Sequence, residues 1–365
     1  MSRDGVYVDG RKLNQGFNRD DRSGRPGSVK AFNMRILEEF GLTGIDGWRE
    51  KTGYVWNTDR GPCLIQKARG NASKSLKDAL LLAHFVKERL NELGFCETDR
   101  FLTTIKGEPF YEAAGELYTV SGFTAGTEIS FDNYEAVVSA AACAGRMHKL
   151  IETNAFFKDC PINLVSHKEY AAFTDQDGFE KQRKTMRGYK KKLQKQSRLS
   201  DFDVLFLKCF DDYEVRLWRC EELLSHFPGH LLKSSFAHNG LKEETLVQKD
   251  GRQYIICFDE CSKDSPLFDL ASIVKRYLRA AHNSKSVSLK TGMGQILAAY
   301  SAHNPLEPPD LKSLQAILLF PDKFYKTCVK YYSKKRTWTP AAFNSALEER
   351  WDLGIEVVEE YFDRI

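Results

Sequence analysis

The sequence contains no long uninterrupted apolar run, although 42% of its 365 residues are hydrophobic. A helix that spans a bilayer needs about 20 consecutive apolar residues, so no transmembrane helix and no membrane partner are predicted. The first residues, Met1 to Gly5, are polar and lack the apolar centre of a secretory signal peptide. We therefore expect cytoplasmic synthesis.

Paired cysteine motifs are also missing. None of the nine cysteines belongs to a Cys-x-x-Cys pair, which argues against a zinc ribbon and provides no disulfide framework. Cys257 and Cys261 lie four positions apart, without a histidine or a second pair nearby. Reduced, mostly buried thiols are expected.

The net charge is only +4, but one segment is strongly basic. Its cations are Lys181, Arg183, Lys184, Arg187, Lys190, Lys191, Lys192, Lys195 and Arg198. A nucleic-acid or anionic surface is one interpretation, and a solvated helix face is the other. Tyr189 is the only aromatic residue in the segment, so it offers no stacking platform. We expect the solvated face and no nucleic-acid partner.

The order of patterns along the chain indicates two lobes. Residues 1–30 are rich in glycine, charge and turn-forming residues, and they predict a flexible N-terminal arm. An amphipathic helix is predicted over Val29 to Phe40, followed by several short strands and one helix up to residue 122. From residue 123 to residue 365 the pattern is almost entirely helical. The predicted class is therefore α+β, with a small β-rich lobe over 31–122 and a large helical lobe over 123–365.

Three segments in the helical half occur in an informative order. The first is His238–Val247, which reads His-Asn-Gly-Leu-Lys-Glu-Glu-Thr-Leu-Val. The second, Cys257–Asp259, follows the apolar run Tyr254-Ile255-Ile256, and the third, Pro266–Ala271, reads Pro-Leu-Phe-Asp-Leu-Ala.

Together these segments resemble the active-site half of the aminoglycoside-phosphotransferase-like kinases. That family has His-Gly-Asp-Leu, then an Asn-like ligand, a strand ending in Ile-Asp-Phe or Ile-Asp-Trp, and Pro-x-x-Asp-Leu-Ala. The resemblance implies a two-lobed protein-kinase-like fold. It also implies structural roles for Asp269, which opens a buried helix and hydrogen-bonds the loop at His238, and for His148 in Ala144–Leu150.

The catalytic residues of that family are replaced in this sequence. Gly240 stands at the catalytic-base position, Thr245 at the Asn position and Cys257 at the metal-Asp position. Phosphoryl transfer needs a carboxylate for the substrate hydroxyl and oxygen ligands for magnesium, whereas cysteine is a soft ligand that suits magnesium poorly. The loop His238, Asn239, Gly240 and Thr245 therefore has no intact catalytic residue, and no cofactor is expected.

A rearranged site is the alternative, and under it ATP and magnesium are used. Asp259 lies two residues after Cys257 on an apparent strand, so both are expected on one side, and Asp259 is the candidate metal ligand. Asn239 and Glu243 flank the vacant base position. This hypothesis predicts an active phosphotransferase.

In the N-terminal half, three residues are candidate nucleotide contacts. Lys67 ends a predicted strand and resembles the lysine that contacts nucleotide phosphates in kinases, although an ordinary surface lysine is an equal alternative. Gly122 and Phe123 resemble the hinge whose backbone meets an adenine edge. No glycine-rich phosphate loop precedes Lys67, and neither Asp78 nor Glu88 is well placed as its helix partner.

Segments near the C-terminus narrow the resemblance to the spore coat protein S (CotS) branch of this superfamily. They are Leu319–Tyr325 and Tyr331–Trp338, where that branch has Phe-Pro-x-Lys-Phe/Trp and Tyr-Tyr-x-x-x-Lys-x-Trp. The branch implies a kinase-shaped protein of a spore coat whose partners are other coat proteins, and the replacements at Gly240, Thr245 and Cys257 predict that it is catalytically inactive. Tyr331, Tyr332 and Trp338 are a candidate contact patch, or else pack among the last helices. A nucleotide-binding sensor without turnover is a third hypothesis, and no small-molecule substrate is indicated.

Overall fold

The structure, a computed structural model, describes residues 7–8, 11–12, 26–152, 156–162, 173, 178–225, 235–281, 289–333, 339–348 and 354–364. The chain divides into two units. We call Met1–Leu80 with Asp99–Thr124 the N-terminal unit, and Leu81–Thr98 with Ala125–Ile365 the C-terminal unit.

The N-terminal unit is built on an antiparallel five-stranded sheet with the strand order β3-β4-β5-β7-β6. In chain order, the elements up to residue 122 are β1 (Tyr7–Val8), β2 (Arg11–Lys12), α1 (Pro26–Glu39), β3 (Gly44–Arg49), β4 (Tyr54–Thr58), β5 (Gly61–Lys67), α2 (Lys74–Glu92), β6 (Tyr111–Ala113) and β7 (Glu116–Gly122). Strands β1 and β2 pair only with each other. Helix α2 continues beyond Leu80, so its later turns belong to the C-terminal unit.

Helix α1 covers one face of this sheet. Its apolar residues recur at Phe32, Ile36 and Phe40, which is the spacing of one helix face. Ile36 and Phe40 are buried in a core cluster with Trp56 and Ile65 from the strands. This packing determines which face of the sheet each strand residue occupies.

The C-terminal unit is mostly helical, with one small sheet in the order β10-β9-β8. Its elements after α2 are β8 (Thr127–Glu128), α3 (Tyr134–Ile151), α4 (Gly178–Leu193), α5 (Asp201–Ser225), β9 (Leu246–Lys249), β10 (Arg252–Ile255), α6 (Leu267–Ala281), α7 (Leu289–Ser301), α8 (Pro308–Leu319), α9 (Asp322–Tyr332), α10 (Pro340–Glu348) and α11 (Ile355–Phe362). A short 3₁₀ turn, Glu243–Thr245, precedes β9.

The helices α3 and α7 pack at very short range, and a glycine permits it. A Cβ atom added to Gly145 of α3 would lie 2.6 Å from the backbone oxygen of Tyr300 in α7. Only a residue without a side chain tolerates that approach. The contact brings His148, one turn after Gly145, beside the end of α7.

The predicted fold class is confirmed, because a β-rich unit precedes a helical one in the described residues. The predicted boundaries at residues 30 and 122 stay predictions. Within the predicted arm, α1 already begins at Pro26, and the rest of 1–30 lies outside the described residues apart from β1 and β2. No helix in the described ranges combines the length and apolar character required to cross a membrane.

Substituting Gly145 tests the packing of α3 against α7. We expect Gly145→Ala to lower the free energy of unfolding by about 1–3 kcal/mol, because the new methyl overpacks the helix contact. The matched control is Gly188→Ala in α4, where an added Cβ meets nothing within 4 Å. Removing a helix-interior glycine there should raise stability by about 0.5–1 kcal/mol. Thermal unfolding followed by circular dichroism measures both, and equal effects would contradict the packing argument.

Candidate functional site

The loop that begins at His238 is held by one buried carboxylate. Asp269 lies in the first turn of α6 and is fully buried. Its Oδ2 accepts a hydrogen bond from the backbone N–H of His238 at 2.6 Å, and its Oδ1 accepts one from Asn239 at 2.8 Å. The positive end of the α6 dipole also favours a carboxylate at this position. This is the geometry that the resemblance implies for Asp269.

A buried chain of hydrogen bonds continues from Asp269 into two other helices. His148 of α3 lies with its Nε2 3.1 Å from Asp269 Oδ2 and its Nδ1 2.9 Å from the Tyr300 hydroxyl. Asn304 donates to the same hydroxyl at 3.1 Å. If His148 Nε2 donates to Asp269 and the Tyr300 hydroxyl donates to His148 Nδ1, each of these three side chains in the hydrogen-bond network has a partner. His148 thus ties α3 and α7 to the start of α6.

The loop closes on itself around Gly240. The hydroxyl of Thr245 donates to the carbonyl of Gly240 at 2.5 Å, and it accepts from the N–H of Lys242 at 3.0 Å. The N–H of Gly240 lies 3.2 Å from His238 Nδ1, and His238 Nε2 lies 3.1 Å from the carbonyl of Ile256. The side chains of His238 and Thr245 are therefore engaged in holding the loop, and Gly240, at the base position that the resemblance implies, has no proton acceptor.

Cys257 and Asp259 do not lie on a strand, contrary to the sequence interpretation. Strand β10 ends at Ile255, and Cys257 has a left-handed backbone with φ of 62°. The alternation that would put both side chains on one side does not apply there. Asp259 is partly exposed in the turn that follows Phe258, and its role as a metal ligand stays a prediction.

The residues at the family's metal positions do not match magnesium. Thr245 uses its hydroxyl within the loop, and Cys257 presents a sulfur atom. Magnesium takes hard oxygen ligands, chiefly carboxylates and water. Asp259 is the nearest carboxylate in sequence, and Glu243 is paired with Arg276 at 2.9 Å. No group of three or more histidine, cysteine or acidic side chains suited to a metal occurs in the described part of the chain.

Asn239 is a loop residue whose role the sequence interpretation missed. Its Nδ2 donates to the carbonyl of Glu260 at 3.2 Å and to the hydroxyl of Ser262 at 2.6 Å. Its φ of 59° is left-handed, a region where asparagine is enriched. An asparagine between a histidine and a glycine was the available signal. Asn239 links the loop to the turn that follows Phe258.

Lys67 lies on the face of the sheet that α1 covers. Cys63 and Ile65, which alternate with it along β5, belong to the core cluster with α1, and Gln66 takes the opposite face. The Lys67 ammonium lies 3.0 Å from Glu116 Oε1, and this hydrogen bond raises the pKa of Lys67. The sequence showed a lysine at a strand end but not which face it occupies. A nucleotide contact by Lys67 stays a prediction.

The hinge candidates use their backbone donors within the N-terminal unit. The N–H of Gly122 donates to Arg100 at 3.2 Å, and that of Phe123 donates to Pro62 at 2.9 Å. Among the described residues, the N–H of the next residue, Thr124, has no hydrogen-bond partner. An adenine contact by Gly122 or Phe123 stays a prediction.

The tyrosines predicted as a contact patch pack inside the C-terminal unit. Tyr331 is 6% exposed and stacks on Phe202 with ring centroids 3.8 Å apart. Tyr332 donates from its hydroxyl to Asp203 at 2.9 Å. Trp338 lies outside the described residues. Of the two interpretations, helix packing is therefore the one observed for the two tyrosines.

Part of the basic segment is neutralised by the neighbouring helix. Three cations of α4 form ion pairs with α5, and the pairs are Arg183 with Glu221, Arg187 with Glu214, and Lys190 with Asp211. These ion pairs show that one face of α4 contacts α5 through its cations, so part of the basic segment is used in helix packing. The absence of a nucleic-acid partner stays a prediction.

No protein-family model matches the chain, and no curated protein matches its sequence. Solved structures do match. An aminoglycoside phosphotransferase from Alicyclobacillus acidocaldarius has a TM-score of 0.69 at 15% identity, covering 90% of this chain and 94% of that one. Spectinomycin phosphotransferase has a TM-score of 0.60 at 11% identity, covering 92% and 98%. Amicoumacin kinase has a TM-score of 0.54 at 14% identity, covering 92% and 93%. At these identities the similarity shows the fold, which is kinase-like.

These structures correct one expectation. The spectinomycin phosphotransferase was solved with ADP and spectinomycin, and the amicoumacin kinase with AMP-PNP and Ca²⁺. The prediction that no cofactor is used is contradicted, because structures of this fold hold nucleotides. That prediction rested on Gly240, Thr245 and Cys257, which by the resemblance stand at the base and metal positions and do not bear on the binding of the nucleotide base.

Replacing Asp269 tests the buried network. We expect Asp269→Ala to lower the thermal midpoint clearly, since each buried N–H left without a partner costs about 1–3 kcal/mol. Asp269→Asn should also destabilise, because one carboxylate oxygen is replaced by a donor that faces an N–H. Asp211→Asn, which changes an acid with a side chain 83% exposed, is the control and should change the midpoint little. An unchanged midpoint for Asp269→Ala would contradict the network.

Proposed function

We propose that this chain is a nucleotide-binding protein with a kinase-like fold that does not transfer a phosphoryl group, and that it acts in a spore coat. The observation that carries the proposal is the loop around Gly240. The loop is fully supported by Asp269, His238 and Thr245, yet it presents no carboxylate at the base position. A complete frame without its proton acceptor is suited to binding and not to turnover.

Two observations support nucleotide binding. Structures of the same fold hold ADP or AMP-PNP, and the N–H of Thr124, after β7, has no hydrogen-bond partner in the described residues and could donate to an adenine edge. Lys67 is a weaker candidate for a phosphate contact, because Glu116 already pairs with it. When bound, the nucleotide would supply binding free energy and its phosphate oxygens as hydrogen-bond acceptors. The residues of this chain supply its orientation.

Loss of the base accounts for the absence of transfer in physical terms. A positioned general base typically contributes about 10²–10⁴ in rate. Asn239 and Thr245, on either side of Gly240, are not proton acceptors of suitable pKa. The soft sulfur of Cys257 adds a poor match to the metal that aligns the phosphates.

An active phosphotransferase with a rearranged site is the second candidate function. The partly exposed Asp259 favours it, as does the fact that the similar solved structures are phosphotransferases and kinases. In this candidate Asp259 takes over a metal or base role. One measurement separates the two candidate functions. Only the active phosphotransferase predicts phosphoryl transfer that depends on Asp259.

The coat assignment is supported by the resemblance of Leu319–Tyr325 and Tyr331–Trp338 to the spore coat branch. The described part of these segments forms α9 and the residues before it. These residues therefore serve the packing of the C-terminal unit. Other coat proteins would contact different surfaces. A fluorescent fusion followed through sporulation tests the assignment. A protein that stays diffuse in the mother cell and is absent from purified coats would contradict it.

Phosphoryl transfer should be undetectable in the wild-type protein and should appear when carboxylates are restored. We expect the double variant Gly240→Asp with Cys257→Asp to hydrolyse or transfer ATP phosphate at least about 10²-fold above wild type. A Cβ at 240 would lie 3.3 Å from the His238 ring, so a shift of a few tenths of an ångström admits it. Labelled-phosphate assays with a broad panel of hydroxyl compounds measure this. Gly188→Asp in place of Gly240→Asp is the control. Robust wild-type transfer that Asp259→Asn abolishes would establish the second candidate instead.

Nucleotide binding should be present in the wild type and should gain magnesium dependence in Cys257→Asp. Aspartate tolerates the left-handed backbone at 257 better than cysteine does, and it supplies a hard oxygen ligand. We expect the ATP affinity with magnesium to rise about tenfold in this variant, as measured by calorimetry with and without the metal. Cys96→Asp, at an exposed cysteine, is the matched control. No detectable binding of ATP or ADP by the wild type would refute the proposed function.

A further inference from the structure

The C-terminal unit contains an open polar cleft of about 490 Å³ away from the loop at Gly240. Its lining residues are Glu97, Ser139, Arg146, Gly251, Arg252 and Gln253. Ser139 and Arg146 are seven residues apart on α3 and therefore share a helix face. Gly251 and Arg252 come from the tight turn between β9 and β10.

The walls of this cleft are fixed by hydrogen bonds that involve the backbone. Cys143, which lies between Ser139 and Arg146 on the same face of α3, donates from its thiol to the carbonyl of Gln253 at 3.3 Å. Burial raises the pKa of Cys143 to about 12, so the group remains a neutral donor. The N–H of Ile255 donates to the carbonyl of Glu97 at 2.9 Å. These bonds fix α3, which carries Arg146, relative to the β9–β10 turn, which carries Arg252.

The cleft has more donors than its own residues use. Arg146 approaches Glu97 only loosely, with 3.7 Å between Nη2 and Oε1. Within the described ranges, Arg252 has no acidic partner and the Ser139 hydroxyl makes no hydrogen bond. Two guanidinium groups against one carboxylate leave a net positive charge. The cleft therefore favours an anionic ligand.

We propose that this cleft binds the phosphate group of a small phosphorylated molecule. A phosphate monoester carries a charge of about −1.5 to −2 at pH 7 and has three acceptor oxygens. Two guanidinium forks and a hydroxyl match those oxygens and that charge better than they match a single carboxylate. The concave shape between a helix and a hairpin turn fits a small molecule.

Calorimetric titration with inorganic phosphate at low ionic strength tests the proposal. We expect Arg146→Gln and Arg252→Gln each to weaken phosphate binding about tenfold or more, because each removes charge-assisted hydrogen bonds. Glu97→Gln should strengthen binding several-fold, since it removes the carboxylate that competes for Arg146. Arg198→Gln, which removes the same charge from a different segment, should change the affinity less than twofold.

The other outcomes overturn the proposal. If Arg198→Gln weakens binding as much as the cleft variants do, the attraction is a general effect of net charge. If acetate or citrate binds as tightly as phosphate, the ligand is a carboxylate. If vesicles with phosphatidic acid bind through Arg146 and Arg252 while free phosphate does not, the cleft binds a lipid headgroup and not a small molecule. The thermal midpoint of each variant should stay near that of wild type, and circular dichroism checks this.

Discussion

The carboxylate of Asp269 is the group on which the arrangement of the C-terminal unit depends. A buried charge is costly unless it is fully hydrogen-bonded, and this one receives bonds from two backbone N–H groups and the ring of His148. Through His148 and Tyr300 it also determines how α3 and α7 meet α6. The loop conformation at His238 is therefore a consequence of helix packing. The bonds from Asp269 to the loop involve backbone N–H groups of His238 and Asn239 and no side chain at position 240.

This anchoring through backbone groups explains how a kinase-like loop persists without a catalytic carboxylate. Asn239 and Cys257 have a left-handed backbone, with φ of 59° and 62°. Such a conformation costs a residue other than glycine about 1–2 kcal/mol, and it persists only where the surroundings impose it. At Asn239 the side chain offsets this cost by bonding Glu260 and Ser262. Aspartate is among the residues enriched at left-handed φ, so the backbone at Cys257 would also suit an aspartate.

Much of the fold was predictable because its signals are local. The helix periodicity and the strand-first order of the patterns indicated the α+β class, and the resemblance of His238–Val247 and Pro266–Ala271 to a known kinase-like family implied the loop and its anchor Asp269. The end of β10 at Ile255 was not predictable, because a tertiary constraint and not local propensity imposes the left-handed turn at Cys257. The sequence predicted that Lys67 ends a strand but not which face of the sheet its side chain occupies, since that depends on where α1 packs. For Tyr331 and Tyr332 the sequence left a surface patch and helix packing both open, because an aromatic pair on a helix has the same pattern in either case.

A protein that binds a nucleotide without transferring its phosphate can use only the free energy of binding. A ligand at 100 times its Kd stabilises the state that it binds by about 2.7 kcal/mol. That is similar to the cost of leaving one or two buried donors unpaired, at about 1–3 kcal/mol each. The loop at His238 is held by such bonds to Asp269, within the loop itself, and to Ile256, Glu260 and Ser262. Under the proposed function, the free energy of nucleotide binding would therefore be large enough to bias the arrangement of this loop and of the turn after Phe258.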